Sequence, residues 1–65
     1  MPKQVEPPRF IRLPQVIELT GMGKTFIYAR RKEGTFPKQI QLGSRSVVWN
    51  EQDVIKWMEE KMASR

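Results

Sequence analysis

A turn of only three residues, Gly21-Met22-Gly23, separates two short segments with helical patterning, and this spacing constrains the fold more than any other feature. In the first segment, Pro14 suits the first turn of a helix, where its missing N–H is not needed. Gly21 suits the C-terminal cap of the same helix. The residues at three- and four-residue spacing, which should share one buried face, are Leu13, Val16, Ile17 and Thr20.

The second segment predicts a helix from about Gly23 to Lys32 or Glu33, ended by Gly34. Pro37 prevents its renewal. Two helices joined by so short a turn form a helix-turn-helix. We expect the side chain of Met22 to fill the angle between them.

The letters Gly23-Lys24-Thr25 are also those that end a phosphate-binding loop. That loop requires a glycine at position 18, where this chain has Glu18, and a carboxylate there would repel a triphosphate. It also requires a parallel sheet, for which 65 residues leave no room. A nucleotide site is therefore rejected in favour of a turn and a helix start.

The next segment alternates apolar and polar residues, as two short antiparallel strands with one face inward would. Ile40 and Leu42 alternate with glutamines, and Val47 and Trp49 lie on either side of Val48. Residues 43–46, Gly-Ser-Arg-Ser, predict the exposed turn between the strands. A hairpin this small is not stable alone, so it must pack on the helices.

The last segment predicts a third helix with Asn50 as its N-cap and carboxylates in its first turn. Its apolar stripe is most simply core, with Trp57 at the edge; it comprises Val54, Ile55, Met58 and Met62. The sequence therefore predicts a mainly α fold with a two-stranded β hairpin, a minimal winged helix-turn-helix. We assign residues 10–63 to this domain and the proline-rich residues 1–9 to a flexible N-terminal arm. Phe10 and Ile11 either form a short strand or anchor the arm.

Cysteine and histidine are both absent, which argues against disulfides, a zinc site and histidine-based catalysis. Glu59 and Glu60 are neighbours on a helix and diverge, so they do not form an acid–base pair. We therefore expect no enzyme activity, no cofactor and no metal.

With no long apolar run or secretory signal, we expect no membrane association and a cytoplasmic protein.

The formal net charge of +5 is concentrated in one segment. Residues 24–45 hold six cationic side chains and one carboxylate, a net +5, whereas residues 1–23 sum to +1 and residues 46–65 to −1. A single basic segment indicates a polyanionic partner, although a solvated helix face gives a similar pattern.

The second helix distributes its side chains between two faces at about 100° per residue. Phe26, Ile27 and Arg30 share one side, which we expect to face the core. The opposite side is exposed and consists of Thr25, Tyr28 and Lys32, flanked by Lys24 and Ala29. Hydroxyl, phenol, ammonium and methyl groups are the set that reads the major groove of double-stranded DNA. A solvated face more often mixes Glu with Lys, so we favour contact with DNA.

The remaining cations have individual interpretations. Arg30 is interpreted as structural, with its stem on the core and its guanidinium in solvent or paired with an acid such as Glu18. Arg31, at the boundary of the core face, is placed to reach a phosphate. Lys38 is interpreted as a peripheral phosphate contact. Arg45, in the turn of the hairpin, is the best contact of the wing with backbone phosphate or a minor groove. A solubilising turn residue is the alternative for Arg45.

Residues 10–60 resemble the AlpA-type prophage regulatory proteins, including the small excisionase-like members of that group. The most specific pieces are "RLPQV", "TGMGKTFIY" and "EGTFPKQIQLG", followed by Val47-Val48-Trp49, in that order and spacing. The resemblance implies a winged helix-turn-helix similar to the MerR-type DNA-binding domain. It also implies one of two roles: activation of phage integrase genes, or bending of attachment-site DNA as a directionality factor during excision.

By the same resemblance, Thr25 and Tyr28 occupy recognition-helix positions, and Ser44 and Arg45 form the wing tip. The chain departs from the family at Arg31, where an apolar residue is usual. We expect a monomer in solution, several copies on DNA, and action on the nucleoid. The alternative is a protein-interaction module that binds an integrase or a response regulator. It would bind through the second helix, or through Trp57 and the methionines of the apolar stripe on the third helix.

Overall fold

The computed structural model describes residues 7–64, in which a short strand precedes the predicted order of two helices, a hairpin and a third helix. The elements are β1 (Phe10–Ile11), α1 (Leu13–Thr20), α2 (Lys24–Glu33), β2 (Ile40–Gln41), β3 (Val47–Asn50) and α3 (Glu51–Ala63). The minimal winged helix-turn-helix is confirmed. Of the two options for Phe10 and Ile11, the strand is correct. The flexible arm falls mostly outside the described residues, and the domain limits remain a prediction.

Two glycines end the helices of the helix-turn-helix, as the sequence predicts. Gly21 has φ 75° and donates its N–H to the Ile17 carbonyl at 2.8 Å. Gly34 has φ 84° and donates to the Arg31 carbonyl at 3.0 Å. Left-handed backbone of this kind is unfavourable for residues with a Cβ, so both chain reversals depend on glycine.

The sheet has β3 at its centre, with β1 and β2 antiparallel on either side. Ile11 pairs with Trp49 on one side, and Ile40 pairs with Val48 on the other. The hairpin turn is closed where the Leu42 N–H donates to the Ser46 carbonyl at 2.8 Å. The wing is therefore joined to the segment before α1, because β1 shares the central strand with β2.

The predicted alternation along the hairpin is wrong in two places. Leu42 is 54% exposed, because β2 ends at Gln41 and Leu42 already belongs to the turn. Val48 and Trp49 are both buried although they are consecutive. Trp49 belongs to the core cluster and Val48 is buried outside it, so both faces of this central strand are covered and alternation is lost.

Both tryptophans bind the loop that follows α2. Trp49 is fully buried and its Nε1–H donates to the Pro37 carbonyl at 3.1 Å. The Nε1–H of Trp57 donates to the Thr35 carbonyl at 2.7 Å. The rings of Trp57 and Phe36 pack edge to face, with their centroids 4.8 Å apart. These contacts fix the path of the chain from the end of α2 to the wing.

The other residues of the buried core cluster come from β1, the three helices and the loop after α2; they are Ile11, Val16, Ile27, Phe36 and Val54. Asn50 caps α3 as predicted, with its side chain accepting the Gln52 N–H at 3.0 Å. The predictions for two methionines are wrong. Met22 is 36% exposed and outside the core cluster, and Met62 is 60% exposed. The turn directs Met22 outwards, and the last turn of α3 extends beyond the small core.

Candidate nucleic-acid interface

The helix α2 is rotated about its own axis relative to the prediction. Ile27 is fully buried as expected, but Phe26 is only half-buried and lies outside the core cluster. Tyr28, predicted on the exposed face, is half-buried with its ring packed against the core. The side that faces the core therefore lies between Ile27 and Tyr28. The Arg30 guanidinium lies over the Phe26 ring, which covers part of that ring outside the core cluster.

The exposed side of α2 carries four of the predicted site residues: Lys24, Thr25, Ala29 and Lys32. Thr25, Ala29 and Lys32 lie within about 60° of one another around the helix axis, because they are spaced by four and three residues. Lys24 follows Gly23, the N-cap of the helix. This exposed strip, Thr25-Ala29-Lys32, presents a hydroxyl, a methyl and an ammonium group along one line.

Two arginines near the end of α2 each stack on an aromatic ring of the preceding turn. Arg30 Cζ lies 5.0 Å from the centroid of Phe26, and Arg31 Cζ lies 5.4 Å from the centroid of Tyr28. Each stack is worth about 0.5–1 kcal/mol at a partly exposed site and restricts the guanidinium to one region. Arg31 is therefore half-buried against Tyr28, and its Nε is buried without a hydrogen-bond partner among the described residues.

Arg30 also pairs with an acid, one of the two options predicted for its guanidinium, but the partner is not the one that was named as an example. Its Nη1 donates to Glu33 Oε1 at 2.6 Å, so the predicted partner Glu18 is wrong. Opposite charges three residues apart on a helix are neighbours, whereas Glu18 belongs to another helix. That spacing is visible in the sequence and was sufficient to find the pair.

The other predicted contacts lie beyond α2. Lys38 is exposed in the loop before β2, and Ser44 and Arg45 are exposed in the hairpin turn. The Gln41 side-chain amide donates to the Gly43 carbonyl at 3.0 Å and to the Ser44 carbonyl at 3.4 Å, which supports the turn. Among residues 7–64, no hydrogen bond or ion pair joins this turn to α2. The nine predicted residues thus divide into a helix group, Lys38 and a wing-tip group.

The exposed surface of α3 is less basic than the segment of residues 24–45. A shallow groove of about 300 Å³ runs between α3 and the loop after α2, and its lining includes Phe36 and Trp57 together with Asp53, Lys56 and Glu60. The half-buried Trp57 ring is held by Thr35 and Phe36 and so belongs mainly to the fold. Residues 46–65 sum to −1 whereas residues 24–45 sum to +5, so the basic segment and not α3 is the side suited to a polyanion.

Two further findings concern the described part of the chain. None of its helices combines the length and apolar character that crossing a membrane requires. Within residues 7–64, no three acidic, cysteine or histidine side chains group closely enough to hold a metal ion.

Comparison with known proteins gives consistent matches. The family model described as "Prophage CP4-57 regulatory protein (AlpA)" matches residues 9–62. The chain is 39% identical over 57 residues to the uncharacterized protein ORF88 of Enterobacteria phage P4, which covers 88% of this chain and 65% of that protein. It is also 39% identical over 59 residues to the DNA-binding transcriptional activator AlpA of Escherichia coli strain K12, covering 82% of this chain and 84% of that protein. The chain thus spans just under two thirds of the phage P4 relative.

Proposed function

Because the chain belongs to the AlpA family of prophage regulatory proteins, we propose that it binds double-stranded DNA in a sequence-specific manner and regulates transcription. The observation that carries this proposal is the exposed strip Thr25-Ala29-Lys32 on the second helix of a helix-turn-helix. A helix in that position enters the major groove in DNA-binding proteins of this architecture. Such a regulator acts in the cytoplasm, on the nucleoid.

In this account α2 lies in the major groove with the exposed strip towards the base edges. Thr25 hydrogen-bonds to a base or phosphate, and the methyl group of Ala29 contacts a thymine methyl. Tyr28 reaches DNA only through its hydroxyl, because its ring packs on the core. Lys24, Arg31 and Lys32 bind phosphates on either side of the groove.

The wing supplies a second set of contacts. Ser44 and Arg45 in the turn bind backbone phosphate or enter a minor groove, and Lys38 binds a phosphate at the periphery. The support for this is the exposure of these three residues, together with the Gln41 hydrogen bonds that hold the turn.

A single module of this size buries roughly 600–1,000 Å² on DNA. We therefore expect a monomer in solution that gains occupancy by binding several adjacent copies of its site.

Two biological roles fit this DNA-binding activity: activation of a phage integrase gene, and bending of attachment-site DNA during excision. The name of the E. coli relative, a DNA-binding transcriptional activator, favours the first. The second requires a strongly bent duplex and contact with an integrase. Transcription from an integrase promoter and excision at an attachment site, each measured with and without the protein, separate the two roles, whereas DNA bending alone does not because activators also bend DNA.

The proposed binding to DNA predicts a strong dependence of affinity on salt. Five candidate cations neutralise phosphates in this account: Lys24, Arg31, Lys32, Lys38 and Arg45. The logarithm of the association constant should then fall with the logarithm of salt concentration at a slope of about −4.5. That slope corresponds to a loss of about 500-fold between 50 and 200 mM salt. Fluorescence anisotropy of a labelled duplex measures it, and an affinity that does not change with salt would contradict DNA binding by the basic segment.

A further inference from the structure

The ion pair of Arg30 and Glu33 adjoins the exposed strip of α2 through Glu33, whereas Arg30 lies about 100° from Ala29 around the helix axis. Glu33 is four residues beyond Ala29, so the two lie within about 40° of each other around the axis. The Arg30 and Glu33 side chains are 38% and 51% exposed, and their charged atoms are 2.6 Å apart. The Phe26 ring under Arg30 limits the positions that its guanidinium can take.

Local stability does not account for a glutamate at this place. Glu33 occupies the last turn of α2, where the helix dipole favours cations and disfavours carboxylates. An exposed ion pair between residues three apart contributes little to folding. Glu33 is also the only carboxylate among residues 24–45, which otherwise hold six cations.

A carboxylate on a helix that enters the major groove has few acceptable neighbours. Phosphates repel it, so within the groove it is better accommodated facing base edges than facing the backbone. The exocyclic N4 amine of cytosine is the donor that glutamate accepts from, and guanine, its partner, offers O6 and N7 to arginine. One C·G pair therefore presents partners for both members of an ion pair.

We propose that Arg30 and Glu33 act together to read one G·C base pair, with Arg30 donating to guanine O6 and N7 and Glu33 accepting from cytosine N4. This inference rests on the proposed binding of α2 in the major groove. Glu33 and Phe26 hold the Arg30 guanidinium before DNA arrives, so less of its freedom is lost on binding. Arg31 has no carboxylate beside it in the described residues and contacts phosphate, whereas Arg30 contacts a base.

The test is a selection of bound duplexes from a randomised pool with wild type, Glu33→Gln and Arg30→Ala. Wild type should enrich a motif that contains one G·C position with a preference of about 5- to 150-fold over the other pairs. Both variants should lose most of that preference while the other positions of the motif remain. Thermal unfolding of each variant checks that the fold persists; Glu33→Gln keeps the shape of an exposed side chain.

Glu59→Gln on α3 is the matched control, because it removes the same charge from an exposed position away from α2. It should leave the motif unchanged. If Glu33→Gln tightens binding to all duplexes equally and leaves the motif intact, Glu33 only neutralises Arg30 and the inference is overturned. If wild type enriches a motif and neither variant alters it, the inference fails while the proposed function stands. If wild type binds no duplex at all, both fail.

Discussion

Replacing Trp49 by alanine is expected to unfold a large fraction of the protein at 25 °C. Trp49 is fully buried in the central strand, opposite Ile11, and its indole N–H bonds to the Pro37 carbonyl. Removing a buried tryptophan costs about 3–5 kcal/mol, and the orphaned Pro37 carbonyl adds about 1 kcal/mol. A chain of 65 residues has a total stability of roughly 3–10 kcal/mol. Urea unfolding followed by circular dichroism at the helix band measures the loss.

Two comparisons separate the components of this effect. Trp49→Phe retains most of the buried ring and loses the hydrogen bond, so it should cost about 1–3 kcal/mol. Leu42→Ala removes an apolar side chain that is 54% exposed and should change the free energy of unfolding by less than about 0.5 kcal/mol. A Trp49→Ala protein that unfolds cooperatively within 1 kcal/mol of wild type would contradict the assignment of Trp49 as the centre of the core.

The second large effect is expected from reversing two charges on α2, in the variant Lys24→Glu/Lys32→Glu. Each phosphate contact raises the association constant about eightfold at 0.1 M salt relative to 1 M salt. Loss of two contacts therefore costs about 60-fold, and repulsion between the new carboxylates and DNA should carry the loss beyond 100-fold. The slope of the salt dependence should also become shallower by about 2. Anisotropy titrations at several salt concentrations give both quantities.

The variant Lys56→Glu/Lys61→Glu is the matched control, since it changes the formal charge equally on exposed positions of α3. It should weaken binding far less and leave the salt slope nearly unchanged, because α3 does not contact DNA in this account. Equal losses in the two variants would mean that only net charge matters and that α2 has no particular role. Thermal unfolding confirms that both variants are folded.

The elements of the fold were predictable where the signal is local. Gly21 and Gly34 end their helices because their left-handed backbone favours glycine, and that requirement is visible in the sequence alone. Asn50 likewise caps α3 through its own side chain. Each of these features depends on atoms within a few residues along the chain, so no knowledge of the tertiary structure was needed.

Features set by tertiary packing were not predictable in the same way. The rotation of α2 depends on which ring, Phe26 or Tyr28, finds space against the core, and residues distant in sequence decide this. The consecutive burial of Val48 and Trp49 depends on cover over both faces of β3, which the local alternation does not reveal. The exposure of Met22 follows from the direction in which the turn leaves α1.

In the candidate site, too, some features follow from the local sequence and others depend on tertiary packing. The exposure of Lys24, Thr25, Ala29 and Lys32 follows from helical spacing and agrees with the expected face. The packing of Tyr28 on the core and of Arg30 on Phe26 depends on the rotation of the helix. The Arg30–Glu33 pair is local in sequence, but it became informative only when its position beside the exposed strip was known.

The central claim is that the exposed strip of α2, together with the Tyr28 hydroxyl, reads bases, and one selection tests it most directly. A randomised duplex pool is bound to wild type and to Thr25→Ala/Tyr28→Phe, which removes two hydroxyl groups and keeps the Tyr28 ring on the core. We expect wild type to enrich one motif, and the variant to lose or change it while retaining salt-dependent binding to DNA in general. Enrichment of the same motif by both proteins, or of none by a wild type that binds DNA, would contradict base reading by this strip.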